Sequence, residues 1–140
     1  MMDLLGRKFG IELAGLPMMI TVRGHAQGKD GRIHTDTKDK VVTGLLYLNS
    51  RWEASGGRLR MLRDGRNLED FAAEVSPSGG TLAAFKVASN SWHGHKPFVG
   101  QRRNVMFNWL RSEAALSRQV GRHKLSARVK TLIPFFYRGG

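Results

Sequence analysis

The chain has 140 residues, 41% of them apolar, a formal net charge of +12 and no cysteine. That length supports one domain with a modest core, and the lack of cysteine excludes disulfides, thiolate zinc sites and a cysteine nucleophile. The excess positive charge gathers after position 100, from Arg102 to Arg138, without an RNP-like aromatic motif or zinc-finger spacing; it reads as a solvated basic face rather than a nucleic-acid footprint.

In chain order, residues 3–14 have the spacing of a short amphipathic helix, with Leu4, Leu5, Phe9 and Leu13 on one side and Gly15 and Pro17 as its stop. Asp3 and Glu12 interrupt this stretch, so it is not the apolar block of a signal peptide, and no run reaches the roughly 20 apolar residues of a membrane helix. A soluble cytoplasmic protein is the expectation. Strand patterns follow at 18–25, 32–36, 41–49, 58–62, 81–87, 92–98 and 102–110, separated by the turn signals GKDG, SGG, RDGRN, PSGG and ASNS. Residues 63–80 are turn and irregular chain. The tail from 112 to 132 reads as one or two helices interrupted near Gly121. Short strands at this spacing predict a mainly β fold of antiparallel sandwich, jelly-roll or barrel type, with helices at the ends.

His34-Thr35-Asp36 is the first chemical signal. On an extended backbone, residues two apart project to the same side, so a His and a carboxylate are presented together to one metal. Alone, such a pair is weak. His93 lies 57 residues beyond Asp36, and two His with one carboxylate on one face of iron leave three coordination positions open. Arg103 follows His93 by ten residues, and its planar fork suits a carboxylate. An inward-facing arginine otherwise needs some other anion.

These motifs are HTD (34–36), VVTGLLYLNSRWEASGGRLRML (41–62), VSPSGGTLAAF (75–85) and WHGHKPFVGQRRNVMFNW (92–109). In order and spacing they resemble the catalytic core of prolyl 4-hydroxylase-like 2-oxoglutarate oxygenases, including the hypoxia-sensing animal prolyl hydroxylases, over residues 20–109. The resemblance implies a double-stranded β-helix (jelly roll, cupin-like) with short flanking helices. It implies a single oxygenase domain over 1–140, with its core at 18–110 and a C-terminal helical segment at 111–140. It implies Fe(II), 2-oxoglutarate and O2 as cofactors and co-substrates, with ascorbate as reductant. The reaction would be hydroxylation of a C–H bond of a peptide or small-molecule substrate, with release of succinate and CO2.

By the same resemblance His34, Asp36 and His93 are the iron ligands, Arg103 anchors 2-oxoglutarate, and Tyr47 binds the same distal carboxylate. Thr43, Leu45 and Tyr47 share the inward face of their strand, and Leu59 lines the pocket. His95 competes with His93, but the family ligand stands four residues before a proline, which Pro97 assigns to His93. Arg102 competes with Arg103; the family arginine stands six residues before a tryptophan, and Trp109 selects Arg103. Strand parity then puts Arg103, Val105, Phe107 and Trp109 on one inward face.

One departure is plain. Many relatives carry a tyrosine on the strand before the HxD motif, where this chain has Arg23-Gly24-His25. The strand at 41–49 is also apolar on its outward face, at Val42, Leu46 and Leu48, which calls for a cover. The short N-terminal helix, the C-terminal segment and a homodimer partner are the candidates; the alternative is truncation of a longer protein at its N-terminus. Rival readings are a cupin-like metalloprotein without 2-oxoglutarate, a non-enzymatic binding module on a degenerate oxygenase fold, and a basic nucleic-acid module.

Overall fold

The fold is that of a computed structural model which describes residues 1–132, with side chains described as far as Arg122. Helix α1 spans Met2–Phe9, and seven strands follow: β1 (Met18–Ala26), β2 (Lys40–Tyr47), β3 (Leu59–Leu62), β4 (Phe71–Val75), β5 (Leu82–Lys86), β6 (His93–Gly94) and β7 (Gly100–Leu110). Helix α2 closes the described chain at Glu113–Leu132. The strands form two antiparallel sheets, one in the order β1-β7-β2-β5 and the other β4-β3-β6.

Helix α1 stops at Phe9, six residues before Gly15, the predicted breaker, because Gly10 takes a left-handed conformation at φ 62°. The Gly10 and Ile11 amides turn back to the carbonyls of Arg7 and Gly6, which ends the helix within one turn. The segment then continues irregularly to Pro17, so one apolar ridge becomes two pieces. Its Leu5 and Leu13 are buried together with Val42 of β2 and Trp109 of β7, and Phe9, Ile11, Leu16 and Phe107 pack around them. Each such buried side chain contributes about 1.5–3 kcal/mol relative to exposure. The N-terminal segment is therefore a cover for one end of the outward face of the larger sheet. Farther along that face Ile20 and Val22 of β1 stay 54% and 73% exposed. The first turns of the C-terminal helix, as far as its side chains are described, reach the loop after the HxD motif, where Arg118 pairs with Asp39 and Gln119 donates to Thr37 at 2.9 Å.

Between the sheets, Tyr47, Leu59 and Ala83 form a second buried cluster, with Leu45 and Val75 against it. This is the inward face predicted for β2. Three other expectations are corrected. Residues 32–36 form no strand; His34 makes only an isolated bridge to His93, through reciprocal backbone bonds of 3.0 and 2.9 Å. Strand β4 lies inside the stretch read as irregular. Helix α2 runs unbroken through Gly121.

Candidate metal centre and its cavity

The isolated bridge brings the two distant histidines together. Ring centroids of His34 and His93 lie 4.3 Å apart, and one donor atom from each of His34, Asp36 and His93 falls within 4.8 Å of the others. Among the described residues this is the single cluster of its kind. The imidazoles are oriented from behind. His34 Nδ1 is 2.8 Å from the Arg32 carbonyl, and His93 Nδ1 is 3.0 Å from the Ser91 carbonyl. A carbonyl can only accept, so both Nδ1 atoms carry the proton and both Nε2 lone pairs are left free. That tautomer is the one a metal ligand needs. Burial pushes the His93 imidazole below its ordinary value, although its bond to the Ser91 carbonyl opposes the shift, which favours the neutral ring.

Asp36 is equally prepared. Lys40 Nζ donates to its Oδ1 at 2.6 Å and Thr43 Oγ1 donates to its Oδ2 at 2.6 Å. Burial acts to raise this carboxyl, but the Lys40 charge and hydrogen bond, with the Thr43 hydroxyl and His93, outweigh it and hold the group ionised below the ordinary carboxylate range. Thr43 also stands 3.1 Å from the Asn108 side-chain oxygen, yet a hydroxyl has one proton to give. Turning the Asn108 amide lets its nitrogen, otherwise buried without a partner, donate to Thr43. The result is a directed chain from Asn108 through Thr43 to Asp36.

These groups open on a cavity of about 430 Å³ lined by both sheets. Thr43, Leu45 and Leu59 are on its wall, as the β2 parity predicted. Tyr47 is fully buried behind them and reaches the site through its hydroxyl. His95 also lines the cavity, but it is outside the three-residue donor cluster; its Nδ1 donates to the Lys96 carbonyl at 2.8 Å. Its ring fills the space over Gly31, where a Cβ would come within 2.3 Å of His95 Nδ1. Arg23 and His25, which stand where many relatives have a tyrosine, both line the cavity.

The arginine expectation is overturned. Arg103 is exposed on the outer side of β7, its guanidinium donating to Gln101 at 2.9 Å. Arg102 is 8% exposed and lines the cavity. The register explains the reversal: Tyr47 pairs with Asn104 and Thr43 with Asn108, and partners in antiparallel strands project to the same side. The inward face of β7 is thus Arg102, Asn104, Met106 and Asn108, while Trp109 pairs with Val42 and faces α1. Arg102 donates to the Gly57 carbonyl at 2.8 Å and to the Tyr47 hydroxyl at 3.2 Å. Among the described residues no carboxylate pairs with it, unlike the equally buried Arg60, which Glu69 and Glu74 neutralise. A buried cation without an anion marks the place where a ligand's carboxylate fits.

Lys40, Asn104 and Asn108 were not singled out from sequence. Polar residues recurring at positions of one parity in the strand, Arg102, Asn104 and Asn108, were the available signal.

Comparison with known proteins agrees with this geometry. Curated proteins give no significant match. Among solved structures, a Pseudomonas putida prolyl-4-hydroxylase matches with a TM-score of 0.56 and 30% identity, over 80% of this chain and 62% of that one. The chain therefore spans less than two thirds of that protein. Residues 20–111 match the 2OG-Fe(II) oxygenase superfamily, a span that contains all three clustered donors, Arg102 and Tyr47. With that match over most of its length, the chain belongs to the 2OG-Fe(II) oxygenase superfamily.

Proposed function

We propose that the protein is an Fe(II)- and 2-oxoglutarate-dependent dioxygenase that hydroxylates a C–H bond, with a prolyl residue or another peptide or amino-acid side chain as substrate. One observation carries the reading: a convergent His34, Asp36 and His93 donor set shares its cavity with the buried, anion-lacking Arg102. The donor set fits iron, because two neutral imidazoles and one carboxylate are the ligands of the facial triad. It also leaves positions free for a chelating oxo acid.

When bound, Fe(II) and 2-oxoglutarate supply the oxidising chemistry, with O2 as oxidant and succinate and CO2 as by-products. The protein's part is to bind and orient. His34 and His93 present Nε2, fixed by the carbonyls of Arg32 and Ser91. Asp36 is held ionised by Lys40 and Thr43. Arg102, steadied by Gly57 and Tyr47, takes the distal carboxylate of the co-substrate. Leu45 and Leu59 give the cavity wall apolar surface against the oxo acid. Ascorbate is expected to sustain turnover by keeping iron reduced. The prolyl choice leans on the Pseudomonas putida relative, which is described as a prolyl-4-hydroxylase.

The test is turnover with a panel of proline-containing peptides and free amino acids under air, with Fe(II) and 2-oxoglutarate, read as succinate and as oxidised product by mass spectrometry. Succinate that rises with one panel member and matches its hydroxylated product is the expected result. Oxidised product formed without 2-oxoglutarate would refute the proposal.

A further inference from the structure

Lys40 has a consequence for the iron site beyond holding Asp36 ionised. Its side chain is 11% exposed, its Nζ is 2.6 Å from Asp36 Oδ1, and it lines the same cavity as the three donors. Asp36 does not need it for a hydrogen bond alone, since Thr43 already holds the other oxygen. What Lys40 adds is charge. With neutral imidazoles, the carboxylate would give the donor set one negative charge; Lys40 cancels it. Lys40 is also anchored at its backbone. It sits at the start of β2, its backbone amide bonds to the Thr37 carbonyl, and the Thr37–Asp39 loop is pinned by Arg111, Arg118 and Gln119.

A dication therefore meets a donor set of zero net charge next to a buried ammonium. That weakens binding of the metal by itself. Once the metal is in place the centre carries one positive charge more than the same triad without Lys40. An anionic oxo acid that chelates the metal is then drawn in more strongly. By linkage, the oxo acid must strengthen metal binding by the same factor.

Resting on the iron and 2-oxoglutarate reading above, we propose that Lys40 is a positioning residue whose charge makes metal binding and oxo-acid binding interdependent. The metal is held weakly alone and firmly only with its anionic co-substrate.

Calorimetric titration of the apo protein with Mn(II), with and without saturating 2-oxoglutarate, tests this without any turnover. The wild type should bind Mn(II) more tightly when 2-oxoglutarate is present. Lys40→Gln keeps a hydrogen-bond donor and drops the charge; it should bind Mn(II) alone about tenfold more tightly and lose about tenfold of the coupling. Lys40→Met should move the same way, and Lys40→Arg should keep wild-type behaviour. Thermal melts of each variant confirm folding, and Lys40→Gln carries the test where Lys40→Met does not fold. Unchanged or weaker Mn(II) affinity in Lys40→Gln, or undiminished coupling, would overturn the proposal. A separate failure points elsewhere: if His93→Ala binds Mn(II) as well as the wild type, the three-residue metal site itself is wrong, and the role of Lys40 falls with it.

Discussion

Arg102 on β7 donates to the Tyr47 hydroxyl on β2 at 3.2 Å, with its guanidinium carbon 5.2 Å from the centre of the Tyr47 ring. Arg102 lines the cavity and Tyr47 backs it from the buried side, while Arg103, one position on, faces outward. Arg102→Ala should raise the 2-oxoglutarate requirement by about 100-fold or more, since a desolvated charge-assisted pair is lost. Arg103→Ala should leave it within about twofold. Tyr47→Phe keeps the ring and removes one hydrogen bond, so a change nearer tenfold, about 1 kcal/mol, is expected. Apparent affinity for 2-oxoglutarate in the three variants checks the assignment; equal losses in Arg102→Ala and Arg103→Ala would contradict it.

Gly31 is required twice over. Its φ of 81° is costly for any residue with a Cβ, and that Cβ would collide with the His95 ring. Gly31→Ala should lower stability by about 1–3 kcal/mol and displace His95 from the cavity wall. Denaturant unfolding measures the first effect. A changed 2-oxoglutarate affinity, absent in a Gly10→Ala control at a distant left-handed glycine, measures the second.

Trp109 belongs to the cover and not to the site. It is 2% exposed against Leu5, Leu13 and Val42, so Trp109→Ala should cost about 3–5 kcal/mol of folding stability. Leu48→Ala, at a side chain 50% exposed just past the end of β2, should cost under about 0.5 kcal/mol. Urea midpoints of the two variants give the comparison.

Stability of the metal-free protein should depend on pH near neutrality. Burial holds the His93 and His95 imidazoles below their ordinary 6.5, against the pull of the carbonyls they donate to. Just below 6.5 the unfolded chain therefore binds more protons than the folded one, and stability rises with pH through that window. The carboxyl of Asp36 is held below its ordinary 3.8, so its contribution is lost only in more acidic solution. The urea midpoint should climb between about pH 5 and 7 and then level off, and His95→Gln should flatten part of the climb. A midpoint that falls with rising pH over that range would contradict the burial of these rings.

Spacing alone left His34 and Asp36 a weak pair; the donor set became legible because HTD and the His93-to-Pro97 spacing resemble a family pattern in order and spacing. The inward face of β2 was legible as alternation at Thr43, Leu45 and Tyr47. The sidedness of β7 was not. Val105, Phe107 and Trp109 look like one core face, and Phe107 and Trp109 do belong to a core, but to the core under α1. A strand buried on both faces has no unique inward side until its partners are known, and the pairing of Thr43 with Asn108 decides it. Strand β4 was missed because Ala72, Ala73 and Glu74 are exposed and small or charged; it is an edge strand held by its pairing to β3. Helix α2 spans Gly121 because a single exposed glycine costs a helix only about 1 kcal/mol, too little to end it.

An iron site of His34, Asp36 and His93 that consumes 2-oxoglutarate is tested by Fe(II)-dependent conversion of 2-oxoglutarate to succinate under air by the wild type, His93→Ala and Asp36→Ala, with folding of each verified by thermal melt. Succinate above the no-enzyme background from the wild type alone is expected of such a site. Full succinate production by either variant, or none from the wild type, would contradict it.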